Sequence, residues 1–349
     1  MNILLGDISS YKGIAVAKFI KKNYPEIKIY SFDSRQFTTI FHSKYVYQNF
    51  LIEEDNLESY LEIINKYDID YFIPVINNSL ARFWNIKSDF KMTLSYLGDI
   101  ETYNILNDKV RLHELAKSLE IKTPNRYESL EDAHFPFVIK PTNLSSAKGV
   151  LYVNNKNEIP KDYQYDNIII QDFIQGVGVG YSFYCEKGKI INGFGHKRLA
   201  EYPISGGSST YRESYKDPRM HKIAHKIVNH LEYTGFAMFE FKLTKSNQLY
   251  LLEVNPRIWG SINLGLINGF NYFDRILGAP KIKVKKRKKP IKSYVSPLIY
   301  VSMLQSLLKF RIEPSAVYFF NIFNSKPDVS LLDDPKGYIS TILRKLIKS

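Results

Sequence analysis

The stretch FEFKLTKSNQLYLLEVNPRIWGS, residues 239–261, reads as two strands joined by a tight turn. Residues 236–243 and 249–254 are rich in apolar and aromatic side chains, and Lys245, Ser246, Asn247 and Gln248 supply turn chemistry between them. With Ser246 and Asn247 as the loop residues, Lys245 pairs with Gln248, and five steps back along each strand set Glu240 opposite Glu253. Opposed side chains on one face lie about 4.5–5.5 Å apart at Cβ. Asn255, two residues past Glu253, shares that face by the strand period of two. Two carboxylates and an amide oxygen in so small a space repel one another unless a cation lies between them. Hard oxygen donors suit Mg²⁺, with Mn²⁺ as the alternative, an ion usually completed by substrate phosphates rather than enclosed by protein. The plainer reading is a surface hairpin whose like charges face water; the rest of the chain weighs against it.

A chain of 349 residues is long enough for two or three compact units, with apolar content to bury each. The single cysteine, Cys185, excludes an internal disulfide framework and points to a reducing compartment, so a cytoplasmic location is expected. The opening MNILLGDISSYKG is expected to be a first strand rather than a secretory signal. The net charge of +13 is unevenly placed: residues 278–312 hold no acid, while Lys281, Lys283, Lys285, Lys286, Arg287, Lys288, Lys289 and Lys292 crowd together.

Residues 1–99 alternate strand-like and helix-like pieces: ILL before Gly6, a helix over 11–22, KIYSF, a helix over 57–67, and DYFIPVI. The pattern predicts a small parallel sheet wrapped by helices. Gly6 and Gly13 do not make a dinucleotide fingerprint, but Asp7 and Asn77, just past strand ends, are placed to line a crevice at the carboxyl edge. From Val110 to Gly278 the chain reads as α+β with mainly antiparallel pairing. Asn107 or Asp108 caps a helix, PFVIKP, GVLYVN and NIIIQDF are strands, and two more strands flank a Lys187–Gly188 turn. Residues 219–231 form an amphipathic helix. Three units follow: 1–100 a leading α/β domain, 101–279 an α+β domain, and 280–349 a basic, partly helical extension.

Lys140 closes the apolar strand FVIK and precedes a small polar loop with Ser145, Ser146, Lys148 and Gly149. An ammonium beside loop N–H groups is a phosphate-binding arrangement, although this is not a Walker loop. Gln171, Asp172, Phe173 and Ile174 end the strand IIIQDFI before Gly176, a hinge able to offer backbone polar groups and apolar cover to a purine edge. His196 and Arg198 share a strand face, and Ser208 and Arg212 follow the SGGSST turn.

In this order NDK, VIKP with its loop, QDFI with its glycine turn, GHKRLAEYPISGGSSTYRES, FEF and LLEVNPRIWGS resemble the ATP-grasp superfamily. More narrowly they are similar to predicted carboxylate–amine ligases related to carbamoyl-phosphate synthase. The resemblance runs over residues 1–280, the first hundred in pattern only. It implies an ATP-grasp fold after the leading α/β domain, with Lys109, Lys140 and the 145–149 loop on ATP phosphates. It further implies Gln171, Asp172, Phe173 and Ile174 around adenine, and Glu240, Glu253 and Asn255 on one or two Mg²⁺ ions. Arg198 and Arg257 are expected over the transferring phosphoryl group, and His196, Ser208 and Arg212 toward the acceptor. The superfamily often sets an acid after the hinge glycine to hold the ribose hydroxyls, and residues 177–181 carry none.

The implied reaction activates a carboxylate as an acyl phosphate for attack by an amine, work done mainly by positioning and charge stabilisation. Its partners are then small-molecule carboxylates and amines. The alternatives are a non-catalytic nucleotide-binding docking protein, or a kinase or carbamoyl-phosphate-type enzyme that releases its phosphorylated product. The basic extension is read as a solvated linker with helices on the body, or as a contact with an anionic membrane surface. Nucleic acid ranks below both, because no aromatic residue is interleaved among the lysines. A homodimer is the default assembly.

Overall fold

The computed structural model describes residues 1–52, 56–75, 80, 84, 97–142, 149–159, 167–203, 207–278, 289–308 and 322–347. Strand β1 (Asn2–Gly6) leads into α1 (Tyr11–Asn23), whose first turn is capped by Ser10 accepting from the Gly13 N–H. Then follow β2 (Lys28–Asp33), β3 (Gln48–Leu51), α2 (Leu57–Lys66) and β4 (Tyr71–Ile73). The four strands make a parallel sheet in the order β3-β2-β1-β4. This is the expected leading unit with one strand added: QNFL lacks the apolar alternation that marks a strand, and it pairs only as an edge beside β2. Asn77 lies outside the described residues.

Asp108 is a double cap. It ends α3 (Ile100–Asn107) and starts α4 (Lys109–Ser118), its carboxylate accepting the N–H groups of Val110 and Arg111. A small antiparallel sheet follows, β5-β8-β6-β7, from β5 (Arg126–Tyr127), β6 (Phe137–Pro141), β7 (Leu151–Val153) and β8 (Ile168–Asp172). The central sheet holds β9 (Val177–Glu186), β10 (Lys189–Tyr202), β11 (Ser208–Ser214), β12 (Gly235–Leu243) and β13 (Leu249–Asn255). Lys187 and Gly188, both at positive φ, make the tight turn between β9 and β10. Helix α5 (Pro218–His230), started by Asp217, lays Met220, Ala224, Ile227 and Val228 on the sheet.

The turn of the β12–β13 hairpin differs from the sequence expectation, and the site survives the difference. Leu243 pairs with Leu249 rather than Lys245 with Gln248, and Thr244 and Gln248 close a wider turn with Asn247 at positive φ. A bulge between Phe241 and Glu240 then inserts the missing residue, Leu252, on β13, and Glu240 meets Glu253 as expected.

Part of the segment after residue 280 builds the same sheet. Strand β14 (Lys292–Tyr294) pairs with β11, and β15 (Lys326–Pro327) pairs with β14, giving the order β13-β12-β9-β10-β11-β14-β15. Helix α6 (Leu298–Leu308) buries Ile299, Ser302 and Ser306, with the Ser302 and Thr210 hydroxyls 2.9 Å apart, and leaves Val301, Leu304, Leu307 and Leu308 exposed. Helix α7 (Pro335–Leu346) reaches the leading sheet, where Arg344 faces Asp7 and Asp33. The basic run 281–288 lies outside the described residues. No described helix is long and apolar enough to cross a membrane. One apolar core joins Ile3, Leu4 and Phe72 of the leading sheet to Phe236, Met238, Trp259 and Phe273.

Arg212 on β11 is fully buried and paired with Asp328, which also accepts from Asn263 at 3.3 Å. Removing one member of such a pair strands a buried charge, so Asp328→Ala is expected to cost about 3–5 kcal/mol, read as a lowered thermal unfolding midpoint of the whole chain.

Candidate functional site

β12 and β13 carry the carboxylates. Glu240 and Glu253 are direct cross-strand partners, and Asn255 lies two pairs further along, opposite Met238. Each carboxylate has its own cation: Arg198 from β10 pairs with Glu240 Oε2, and Lys109 from the start of α4 lies 3.6 Å from Glu253 Oε2. The Asn255 amide nitrogen donates to Glu240 Oε1 at 3.1 Å and approaches Glu253 Oε1 at 3.5 Å, while its carbonyl accepts from Arg257 at 2.8 Å. The repulsion expected from the sequence is thus relieved by two side-chain cations and an amide N–H₂ group.

These donors fit a hard divalent ion in kind, being two carboxylates and an amide, once Asn255 turns its carbonyl inward. Among the described residues no group of three or more His, Cys, Asp or Glu is placed to hold a metal. An ion here would draw its remaining ligands from a bound anion and water.

Burial raises the Glu240 carboxyl above its ordinary range, with Arg198 opposing. Burial alone would lower Arg198, but Glu240 and Glu201 outweigh it and hold the guanidinium charged. Burial pushes Lys140 down to about 8, with Glu253 acting in the opposite direction. Lys140 closes β6 and donates to Gln171 Oε1 on the neighbouring strand β8 at 3.3 Å. Lys109 also donates to the Thr142 carbonyl at 3.4 Å. Lys109, Lys140, Arg198 and Arg257 therefore converge around two carboxylates.

A cavity of about 680 Å³ opens beside this cluster, lined by Lys140, Asp172, Phe173, Ile174, Arg198 and Lys242, among others. That volume suits a small-molecule ligand. Phe173 is partly exposed on its wall, with the Tyr152 ring edge-on to it at 5.8 Å. The Asp172 carboxylate accepts from the Tyr127 hydroxyl and, at 2.7 Å, from the Asn125 amide. Gly149 is in the left-handed region after the polar loop; Ser145, Ser146 and Lys148 lie outside the described residues.

The acceptor candidates are not all at the surface. Ser208 is exposed, but His196 and Arg212 are buried, and Arg212 is occupied by Asp328 rather than open to an anion. A Cβ on Gly180 would meet the His196 ring at 2.4 Å, so glycine at 180 leaves the imidazole room against the strand. Burial, helped by Arg198 and Arg212, pushes His196 down to about 3, and the ring is neutral at physiological pH.

The sequence reading missed Lys12, Glu201 and Lys242. Lys12 spans the two sheets, donating to the Val75 carbonyl and, at 3.0 Å, to the carbonyl of Ile258 beside Arg257. Lys242, two residues past Glu240, donates to the Gly176 carbonyl at 3.4 Å, and the strand period could have found it. Glu201 has no such signal: pairing is irregular on both sides of Ala200, and Glu201 comes round to Arg198, 3.2 Å from its Nη1.

Residues 106–261 match the model of a family described as the ATP-grasp domain. The chain is 28% identical over 168 residues to a D-alanine–D-alanine ligase of Fusobacterium nucleatum, covering 43% of this chain and 56% of that one. Its fold is similar to N5-carboxyaminoimidazole synthetase from Staphylococcus aureus complexed with ADP. The TM-score is 0.68 at 16% identity, over 83% of this chain and 81% of that one. An L-amino acid ligase from Bacillus licheniformis gives a TM-score of 0.62 at 15% identity, over 85% and 79%. The matches span 56% and 61% of the length of the first two curated relatives. Residues 106–261 thus carry the likeness to an ATP-grasp domain, and the solved structures share the fold over most of the chain.

Proposed function

We propose that this protein is an ATP- and Mg²⁺-dependent ligase that activates a carboxylate as an acyl phosphate and joins it to an amine. The observation that carries this reading is the cross-strand Glu240–Glu253 pair, ringed by Arg198, Lys109 and Arg257 beside a cavity that also receives Lys140. The ligase names of the relatives support it.

In this reading the 680 Å³ cavity takes the nucleotide, with Phe173 and Ile174 against adenine beside Asp172, while the buried Gln171 holds Lys140 from the neighbouring strand. Lys109 and Lys140 hold the phosphates under the loop that ends at Gly149. Glu240, Glu253 and Asn255 would hold Mg²⁺, which would supply charge neutralisation at the phosphates. Arg198 and Arg257 stabilise charge on the transferring group. A carboxylate oxygen of the acceptor forms a bond to the terminal phosphorus as the bond to ADP breaks; the amine lone pair then attacks the acyl carbon, and phosphate leaves, taking up the proton that the nitrogen sheds. An amine arriving unprotonated needs no base from the protein, which suits a neutral, buried His196. Ser208 lies at the exposed acceptor side, and Arg212, through Asp328, fixes the strand that carries it. The units 1–100, 101–279 and 280–349 act as acceptor-side wall, nucleotide body and brace. The basic run of the extension is a solvated linker, with contact to an anionic membrane surface as its alternative, and a cytoplasmic homodimer completes the reading.

Thermal unfolding tests the site. Mg-ATP at about a hundred times its dissociation constant should stabilise the chain by about 2.7 kcal/mol, and a Glu240→Gln, Glu253→Gln variant should lose the magnesium-dependent part. ADP release that needs both a carboxylate and an amine would support ligation, whereas release indifferent to amine would mean a free phosphorylated product.

Lys140 gives a second test. Phosphates favour its protonated form, and burial brings its deprotonation down to about pH 8. Nucleotide affinity should be flat below that pH and about tenfold weaker one unit above it. Lys140→Arg, charged throughout, should flatten the profile measured by calorimetry.

A further inference from the structure

Helix α5 carries His221 and His225 four residues apart, which sets both on one face. Both are exposed, and their ring centroids lie 6.0 Å apart with the planes inclined at 31°. The sheet beneath orients one of them. On β9 the Tyr181 hydroxyl is 2.9 Å from His221 Nδ1, and the two rings meet edge-on at 5.6 Å. A Cβ on Gly193 of β10 would lie 1.8 Å from that hydroxyl, so glycine at 193 is what lets the tyrosine reach the helix. With Nδ1 engaged, Nε2 is the His221 nitrogen left for a ligand.

The surroundings select the ligand. From Pro218 to His230 the helix holds Arg219, Lys222 and Lys226 and no acid, so its own charges do not draw a cation in. A hard ion that takes oxygen donors gains nothing from such a face. Imidazole nitrogen suits ions of the zinc, nickel and copper group, bound through a lone pair. Burial, and after it His225, hold His221 below its ordinary range, which keeps that lone pair unprotonated near neutral pH. A modest closing rotation of the two rings brings a nitrogen of each to the roughly 2.0–2.1 Å of a zinc–imidazole bond.

We propose that His221 and His225 chelate a divalent transition ion of the zinc class, with Tyr181 as the positioning residue that accepts the Nδ1–H of metal-bound His221. Two protein ligands leave the other positions to water, which makes this an exchangeable site rather than a closed structural centre. Through the Tyr181 hydrogen bond the ion would fasten α5 to β9 one residue from Gly180, the cross-strand neighbour of Glu240. The site shares no residue with the Glu240–Glu253 cluster and stands whether or not the cavity takes a nucleotide.

The test is calorimetric titration of the full chain with Zn²⁺, in excess Mg²⁺ to occupy the carboxylate site, for wild type, His221→Ala, His225→Ala, Tyr181→Phe and, as a control, His230→Ala. Two tethered ligands hold an ion about a hundredfold more tightly than one. Wild type should therefore bind one tight equivalent of zinc, and each of the first two variants should lose about that factor. Tyr181→Phe, which keeps both ligands, should weaken binding about tenfold, and His230→Ala should match wild type. If a folded wild-type protein takes up no zinc, if His221→Ala and His225→Ala both bind as wild type does, or if only one of them weakens binding, there is no chelating pair and the proposal falls. If Tyr181→Phe binds as tightly as wild type, the positioning role of Tyr181 falls. His221→Gln and His225→Gln serve if an alanine variant does not fold.

Discussion

Two carboxylates set face to face on adjacent strands repel, and burial makes the repulsion harder to screen. Glu240 and Glu253 are such a pair, and the elements around them are placed so as to answer them. β10 brings Arg198, the first turn of α4 brings Lys109, and the end of β13 brings Asn255 with Arg257 behind it. With Lys140 and Glu201 included, four cations face three carboxylates among the described residues, and Lys242 and Asp172 on the cavity wall add one of each. The site is therefore nearly neutral, with a small excess of positive charge turned toward a cavity. Such a balance tolerates an incoming polyanion only if further positive charge comes with it, which is the physical sense of a metal–nucleotide pair.

The parts of this arrangement that follow a period were legible in the sequence. Apolar runs and turn residues marked the hairpin, and the helix over residues 109–118 was announced by Asn107 and Asp108, of which Asp108 is the cap. Even so, the Glu240–Glu253 register came from a turn and a bulge that shift by one residue in opposite senses. An odd number of such irregularities would have sent one carboxylate to the other face. Glu201 was illegible for that reason: alternation along β10 assigns it away from Arg198, and only the irregular pairing at Ala200 returns it.

The region after residue 280 shows another limit of pattern reading. Its charge and apolar helix suggested an appendage, yet β14 and β15 extend the central sheet and Asp328 neutralises a buried arginine. Strands of two or three residues carry too little alternation to be recognised, and a single aspartate gives no sign of a partner 116 positions away. Helix α6 mixes the usual rule, burying Ser302 against the hydroxyl of Thr210 and Ile299 against Ala200 and Tyr211, while Leu304, Leu307 and Leu308 face outward.

The Arg344 contacts bear on how the chain reaches its native state. Asp7 and Asp33, both buried at the carboxyl edge of the leading sheet, face this guanidinium, which also donates to the Ser9 hydroxyl 335 positions away at 2.8 Å. During synthesis the sheet emerges first and can pair its strands, but its acidic edge lacks that countercharge until α7 has left the ribosome. The first-made part of the molecule is thus the last to be finished, and a chain stalled before residue 344 would carry a leading unit with native topology and an unsealed, water-exposed edge.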